Sequence, residues 1–141
     1  MKIQKYNKSW FMGYIFSREI DGNFIPQKVQ NLVIRDYAIR AKKNLLLSST
    51  EYKMKKSYLM LNSLINKKNK KFNGIIIYSL FMLKDYPNLC NFFTKLKKNN
   101  IKILCALEEI ELNYKTGIDN LNKIFFINKS SKDGQAYKKI S

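Results

Sequence analysis

The sequence contains no histidine. That removes Ser-His-Asp and Cys-His nucleophile systems, histidine metal centres and imidazole acid–base chemistry. Glycine is scarce, with five residues, and none stands in the GxGxxG or GxxxxGK(S/T) spacing of a dinucleotide or P-loop site. No group of acidic residues has EF-hand spacing, so neither a metal nor a cofactor is expected. The two cysteines, Cys90 and Cys105, lie inside apolar runs without CxxC spacing, and are expected to be buried thiols in a reducing compartment. No apolar run reaches the ~18 residues of a membrane-spanning helix. The opening MKIQKYNKSW lacks the apolar core of a secretory signal, so a cytoplasmic location is expected.

Arginine is also nearly missing. The net charge is +17 over 141 residues, yet only Arg18, Arg35 and Arg40 are arginine and the other basic residues are lysine. Arginine supplies the bidentate contacts to phosphate and guanine that sequence-reading proteins favour. A basic balance carried by dispersed lysine, with abundant asparagine and isoleucine, fits the codon usage of an AT-rich genome better than a dedicated nucleic-acid surface. The local clusters are Lys53, Lys55 and Lys56; Lys67, Lys68, Lys70 and Lys71; and Lys95, Lys97 and Lys98.

Hydrophobic residues make up 45% of the chain, enough for one buried core. Trp10 to Phe16 reads as a strand. Asp21-Gly22-Asn23 reads as a turn, and Pro26 suits the first position of a helix. Along that helix Val29, Leu32, Val33 and Tyr37 are expected inward, and Lys28, Asn31 and Arg35 outward. Leu45 to Ser48 is a second strand, and Tyr58, Leu61, Leu64 and Ile65 mark a short helix. Gly74 to Leu80 is a continuous β-branched run of the kind buried on both faces. Pro87 opens a helix with Leu89, Phe92, Phe93 and Leu96 inward, and Ile101 to Leu107 is the fourth strand. This alternation predicts a single three-layer α/β domain with a mostly parallel sheet of about four to five strands, resolvase-like or flavodoxin-like. It spans residues 1–112; residues 113–141 read as a basic extension, partly disordered or adding an edge strand through Ile124 to Ile127.

In open parallel sheets ligands bind beyond the carboxyl ends of the strands. The residues placed there are Ser17 and Arg18; Ser49, Thr50, Glu51 and Tyr52; Tyr78 and Ser79; and Glu108. Arg18 suits a phosphate or carboxylate, Glu51 is the candidate general base, Ser17 a candidate catalytic hydroxyl, and Tyr52 a stacking surface. A second polar array, with Gln27, Gln30, Asn31, Arg35 and Asp36, lies on the first helix. Each of these residues also has a structural reading as a turn, cap or surface residue.

The segments GYIFSR (13–18), IPQKVQNLVIRDY (25–37), LLSSTEY (46–52), NGIIIYSLFML (73–83) and CALEEI (105–110) resemble the bacterial sporadic carbohydrate cluster proteins. That resemblance implies a role in making or modifying a surface glycan, and no particular reaction. A more distant resemblance, to the catalytic domain of resolvase-type serine recombinases, rests on Gly13-Tyr14-Ile15-Phe16-Ser17-Arg18. Aligned there, Phe16 holds the family's arginine position and Arg18 its nucleophilic serine position, with Ser17 one residue out of register. The later Leu80-Phe81-Met82-Leu83-Lys84-Asp85 lacks both arginines of the family's D-R-L-x-x-R segment. Since recombinases use several arginines to neutralise the scissile phosphate, the resemblance implies a shared fold without DNA cleavage.

Three functions follow as expectations. The first is an accessory protein or small enzyme of surface-carbohydrate biosynthesis that binds a sugar or sugar-phosphate at the sheet edge. The second is a non-catalytic module docking on a glycan-biosynthesis protein through Ile34 and Ile39. The third is a DNA- or RNA-binding domain without recombinase activity.

Overall fold

A computed structural model describes residues 10–66 and 71–127. Five strands form one sheet: β1 (Trp10–Ile15), β2 (Asn44–Thr50), β3 (Gly74–Ile77), β4 (Lys102–Cys105) and β5 (Ile110–Leu112), in the order β2-β1-β3-β4-β5. The first four are parallel and β5 runs antiparallel to β4. The helices are α1 (Gln27–Arg40), α2 (Leu59–Asn66), α3 (Leu89–Lys98) and α4 over residues 117–127, with a 3-10 turn at Leu80–Leu83.

The expected α/β alternation is present, and β3 is buried at all four residues. That is the pattern of a parallel strand covered on both sides. Close approach of neighbouring strands explains two glycines. A Cβ at Gly74 would lie 2.5 Å from the Lys102 carbonyl oxygen, and one at Gly13 would lie 2.2 Å from Ser48 Oγ. The Ser48 contact arises because β2 carries an extra residue between Leu45 and Ser48, opposite Phe11 and Gly13 of β1. Such a bulge re-aims the side chains that follow it.

Helix α1 departs from the apolar pattern. Its buried residues are Gln30, Ile34 and Ala38, whereas Val29 and Leu32 are exposed. The cause is Gln30, whose amide closes the end of β1. Gln30 Oε1 accepts from the Phe16 N–H at 2.9 Å, and Gln30 Nε2 donates to the Phe16 and Ile25 carbonyls at 2.9 and 2.8 Å. A buried backbone group must be paired, and here a side chain replaces the missing ladder partner. The helix therefore turns Gln30 inward and carries Ile34 with it, one turn further on. Ile34 is fully buried and unavailable as a docking residue, while Ile39 is 71% exposed.

Cys105 is buried, but Cys90 is exposed. Cys90 lies in the first turn of α3 on the side opposite Phe92, Phe93 and Leu96, which fill the core. The patch Ile124 to Ile127 belongs to helical residues 117–127 rather than to a strand. In that helix Leu121 is fully buried, and the Phe125 ring lies 5.8 Å from the Phe81 ring. The edge strand is instead β5. Residues 128–141, the remainder of the basic extension, and Lys67, Lys68 and Lys70 lie outside the described residues.

Gln30→Leu keeps the volume of the side chain while leaving two buried backbone groups of Phe16 and the part-buried Ile25 carbonyl without this partner. We expect it to lower stability by about 2–6 kcal/mol, given ~1–3 kcal/mol for each of the two buried groups left unsatisfied. Urea denaturation measures this, and a loss below about 1 kcal/mol would contradict the clip.

Candidate functional site

The carboxyl ends of β1 and β2 lie side by side. Ile15 pairs with Thr50, and the Glu51 N–H donates to the Ile15 carbonyl at 2.9 Å. The next residues of the two strands therefore meet. Ser17 Oγ donates to the Glu51 carbonyl at 3.3 Å, and Arg18 Nη1 donates to the Tyr52 carbonyl at 3.4 Å. The Arg18 guanidinium stacks 3.8 Å over the Phe16 ring and lies 5.1 Å from the Tyr58 ring. Its Nη2 is buried and makes no close hydrogen bond among the described residues, with the Tyr58 hydroxyl the polar group beside the guanidinium.

Past Arg18 the chain makes a small hairpin. Ile20 and Asn23 exchange backbone hydrogen bonds of 2.8 and 3.0 Å, and both intervening residues, Asp21 and Gly22, have positive φ. This is the two-residue turn geometry that favours Asp-Gly. Lys84 Nζ donates to Asp21 Oδ1 at 2.8 Å and ties the hairpin to the segment after β3.

Between the hairpin, the loop after β2 and the 3-10 turn lies a cleft of about 960 Å³. Arg18, Lys53, Lys55, Lys56 and Lys84 line it, against the carboxylates of Glu19, Asp21 and Asp85. A smaller recess of about 390 Å³ adjoins it and shares Ile20, Asp21, Phe24 and Phe81. Tyr78 and Ser79 line the recess.

Glu51 is held away from the cleft. It is 1% exposed, and its carboxylate accepts five hydrogen bonds. Oε1 receives the Tyr14 hydroxyl at 2.8 Å and the Leu61 N–H at 3.1 Å; Oε2 receives the Tyr52 N–H at 2.9 Å, Ser57 Oγ at 3.1 Å and the Met60 N–H at 3.1 Å. Two of these donors are free N–H groups of the first turn of α2, where a negative charge is favoured. Burial pushes the Glu51 carboxyl up, but the bonds from Met60, Tyr14, Leu61 and Tyr52 outweigh it and hold the group below its ordinary value. Expected as a general base, Glu51 has its lone pairs occupied and little basicity. Burial, followed by the bond to Glu51, raises the Tyr14 phenol far above its usual range. Burial also raises Tyr58, to about 12 despite the nearby Arg18 cation, so both phenols stay protonated.

Glu108 has a similar task. It accepts from Ser79 Oγ at 2.6 Å and from the Leu80 N–H at 2.9 Å, while Ser79 Oγ accepts from the Phe81 N–H at 3.2 Å. The pair caps the 3-10 turn. Ser49 and Thr50 sit within β2, opposite Tyr14 and Ile15. Tyr52 is half exposed beside Arg18. Gln27, Asn31 and Arg35 lie along α1, outside both cavities. The structure thus brings Ser17 and Arg18 into one cleft, with Tyr78 and Ser79 in the adjoining recess. Lys84 and Phe24 are the additions. Phe24 follows the Asp21-Gly22 turn, which was the available signal for it; Lys84 had none, because its partner Asp21 is 63 residues away.

No family model and no curated protein matches the sequence. Among solved structures, the chain is similar to a resolvase-family site-specific recombinase from Streptococcus pneumoniae. The TM-score is 0.54 at 11% identity, covering 92% of this chain and 95% of that one. The N-terminal catalytic domain of TP901-1 integrase gives a TM-score of 0.49 at 18% identity, covering 86% and 97%. The chain is therefore an α/β domain of resolvase-like fold. That likeness concerns the fold alone. No helix among the described residues is long and apolar enough to cross a membrane.

Because the folded pKa of Glu51 is depressed, its contribution to stability is complete above the unfolded-state value of about 4.3 and is lost as pH falls through the folded value. Glu51→Gln should lower stability at pH 7 by about 2–4 kcal/mol, since charged acceptors contribute about 1.5–3 kcal/mol per bond. It should also flatten the acid limb of a stability–pH curve measured by denaturant titration. An unchanged acid limb would show that Glu51 is not a main source of acid sensitivity.

Proposed function

We propose that this chain binds a phosphorylated sugar in the cleft at the carboxyl edge of the sheet, as an accessory protein of surface-carbohydrate biosynthesis in the cytoplasm. The observation that carries the reading is Arg18. Its planar guanidinium is fixed against Phe16 and anchored through Nη1, and Nη2 makes no close hydrogen bond among the described residues. A buried guanidinium nitrogen without a close partner is unfavourable, and an anionic oxygen is its natural complement. Lys53, Lys55 and Lys56 on the facing loop reinforce the positive field. The sequence resemblance over residues 13–110 supplies the glycan context.

Binding is favoured over catalysis. Glu51, the carboxylate expected as a base, is turned away from the cleft and committed to Tyr14, Ser57 and the α2 N-terminus. Ser17 donates its hydroxyl to a backbone carbonyl. A small enzyme on this scaffold would have to draw its base from the carboxylates that line the cleft, such as Glu19 or Asp85.

A second reading, nucleic-acid binding without strand cleavage, draws support from the resolvase-like fold and the lysine-rich surface. It requires retention on duplex DNA that falls steeply with salt and is still measurable at ~100 mM.

Isothermal titration with glucose 1-phosphate and with glucose tests the first reading. The phosphate ester should bind and the free sugar should not, and Arg18→Ala should weaken binding at least about tenfold, the equivalent of one charge-assisted hydrogen bond. Equal affinity of the variant and the parent would reject the Arg18 anchor.

A further inference from the structure

The two adjoining cavities differ in chemistry. The larger carries Arg18 and four lysines, whereas the smaller is walled by Phe24, Tyr78, Phe81 and Leu107, and its only charged residue is the shared Asp21. Phe24 and Leu107 are 65% and 52% exposed. Large apolar side chains left open at the mouth of a recess gain most when a ligand covers them. Asp21, at the junction, is paired with Lys84, so an anion passing from one cavity to the other meets a compensated carboxylate.

Resting on the phosphate-binding reading above, we infer that the ligand is a nucleoside diphosphate sugar, with the diphosphate beside Arg18 and the base in the smaller recess. Three features select a planar base over an aliphatic chain. The recess, at about 390 Å³, is of a size for a base and its ribose, and it is too small for a long isoprenoid. Three of its nine lining residues, Phe24, Tyr78 and Phe81, are aromatic, and every nucleobase presents a π-face to such rings. Asn23 adds an amide group of the kind that hydrogen-bonds base edges and ribose hydroxyls and has no use for a hydrocarbon.

The test compares inorganic pyrophosphate, UDP, ADP and geranyl diphosphate by isothermal titration on the full chain. The better of UDP and ADP should bind about tenfold more tightly than pyrophosphate, the gain expected of one stacked base. Leu107→Ala, at an exposed position that lines the smaller recess and not the larger cleft, should reduce that gain and leave pyrophosphate binding unchanged, whereas Phe24→Ala should abolish the gain. Arg18→Ala should weaken all four ligands. If pyrophosphate binds through Arg18 but neither nucleotide exceeds it, the inference fails while the phosphate site stands. Geranyl diphosphate binding more tightly than both nucleotides also overturns it, in favour of a lipid-linked phosphate. Pyrophosphate binding that is indifferent to Arg18→Ala removes the site itself.

Discussion

Five donors converge on the Glu51 carboxylate, and they come from four parts of the chain: the core strand β1, Tyr52 just past β2, the loop at Ser57 and the first turn of α2. A buried ion is tolerable only when its oxygens are satisfied. Here each bond also fixes a separate segment. Tyr14 is pinned from below, and α2 is oriented by its own N-terminal N–H groups. The loop carrying Lys53, Lys55 and Lys56 is anchored at both ends, at Tyr52 and at Ser57. The wall of the cleft is therefore set by a residue that does not face it.

Stacked rings continue that support beneath the site. Tyr14, Phe16, Tyr58, Tyr86, Phe92 and Phe93 follow one another with centroid separations of 4.7 to 6.0 Å. Edge-to-face and tilted contacts of this kind favour definite ring orientations. Phe16 thereby presents a fixed plane to Arg18, and a cation held over a ring keeps its charge while losing freedom. Preorganisation of this kind lowers the ordering cost of binding an anion. Gln30 completes the arrangement by pairing both backbone groups of Phe16.

Much of the architecture was legible because strand runs such as Gly74–Ile77 and helix spacings such as Phe92, Phe93 and Leu96 are local signals. The α1 face was misread for a physical reason. Apolar periodicity assumes that burial follows hydrophobicity, and the buried Gln30 obeys hydrogen-bond accounting instead. Arg18 was recognisable from its place after β1. The role of Glu51 was not, since position after a strand cannot distinguish a carboxylate open to ligand from one turned onto a helix N-terminus. The Asp21–Lys84 pairing depends on tertiary geometry that no spacing in the sequence encodes, whereas Phe24 had only the preceding Asp21-Gly22 turn to mark it.

The central claim is that a single preformed cleft, rather than a diffuse lysine surface, receives the phosphate group. Amide and side-chain NMR during titration with glucose 1-phosphate tests this most directly. Saturable shifts confined to Ser17, Arg18 and the loop from Lys53 to Lys56, including the Arg18 guanidinium signals, are the predicted result. Shifts that spread over the lysines of α3 and rise without saturation would contradict it.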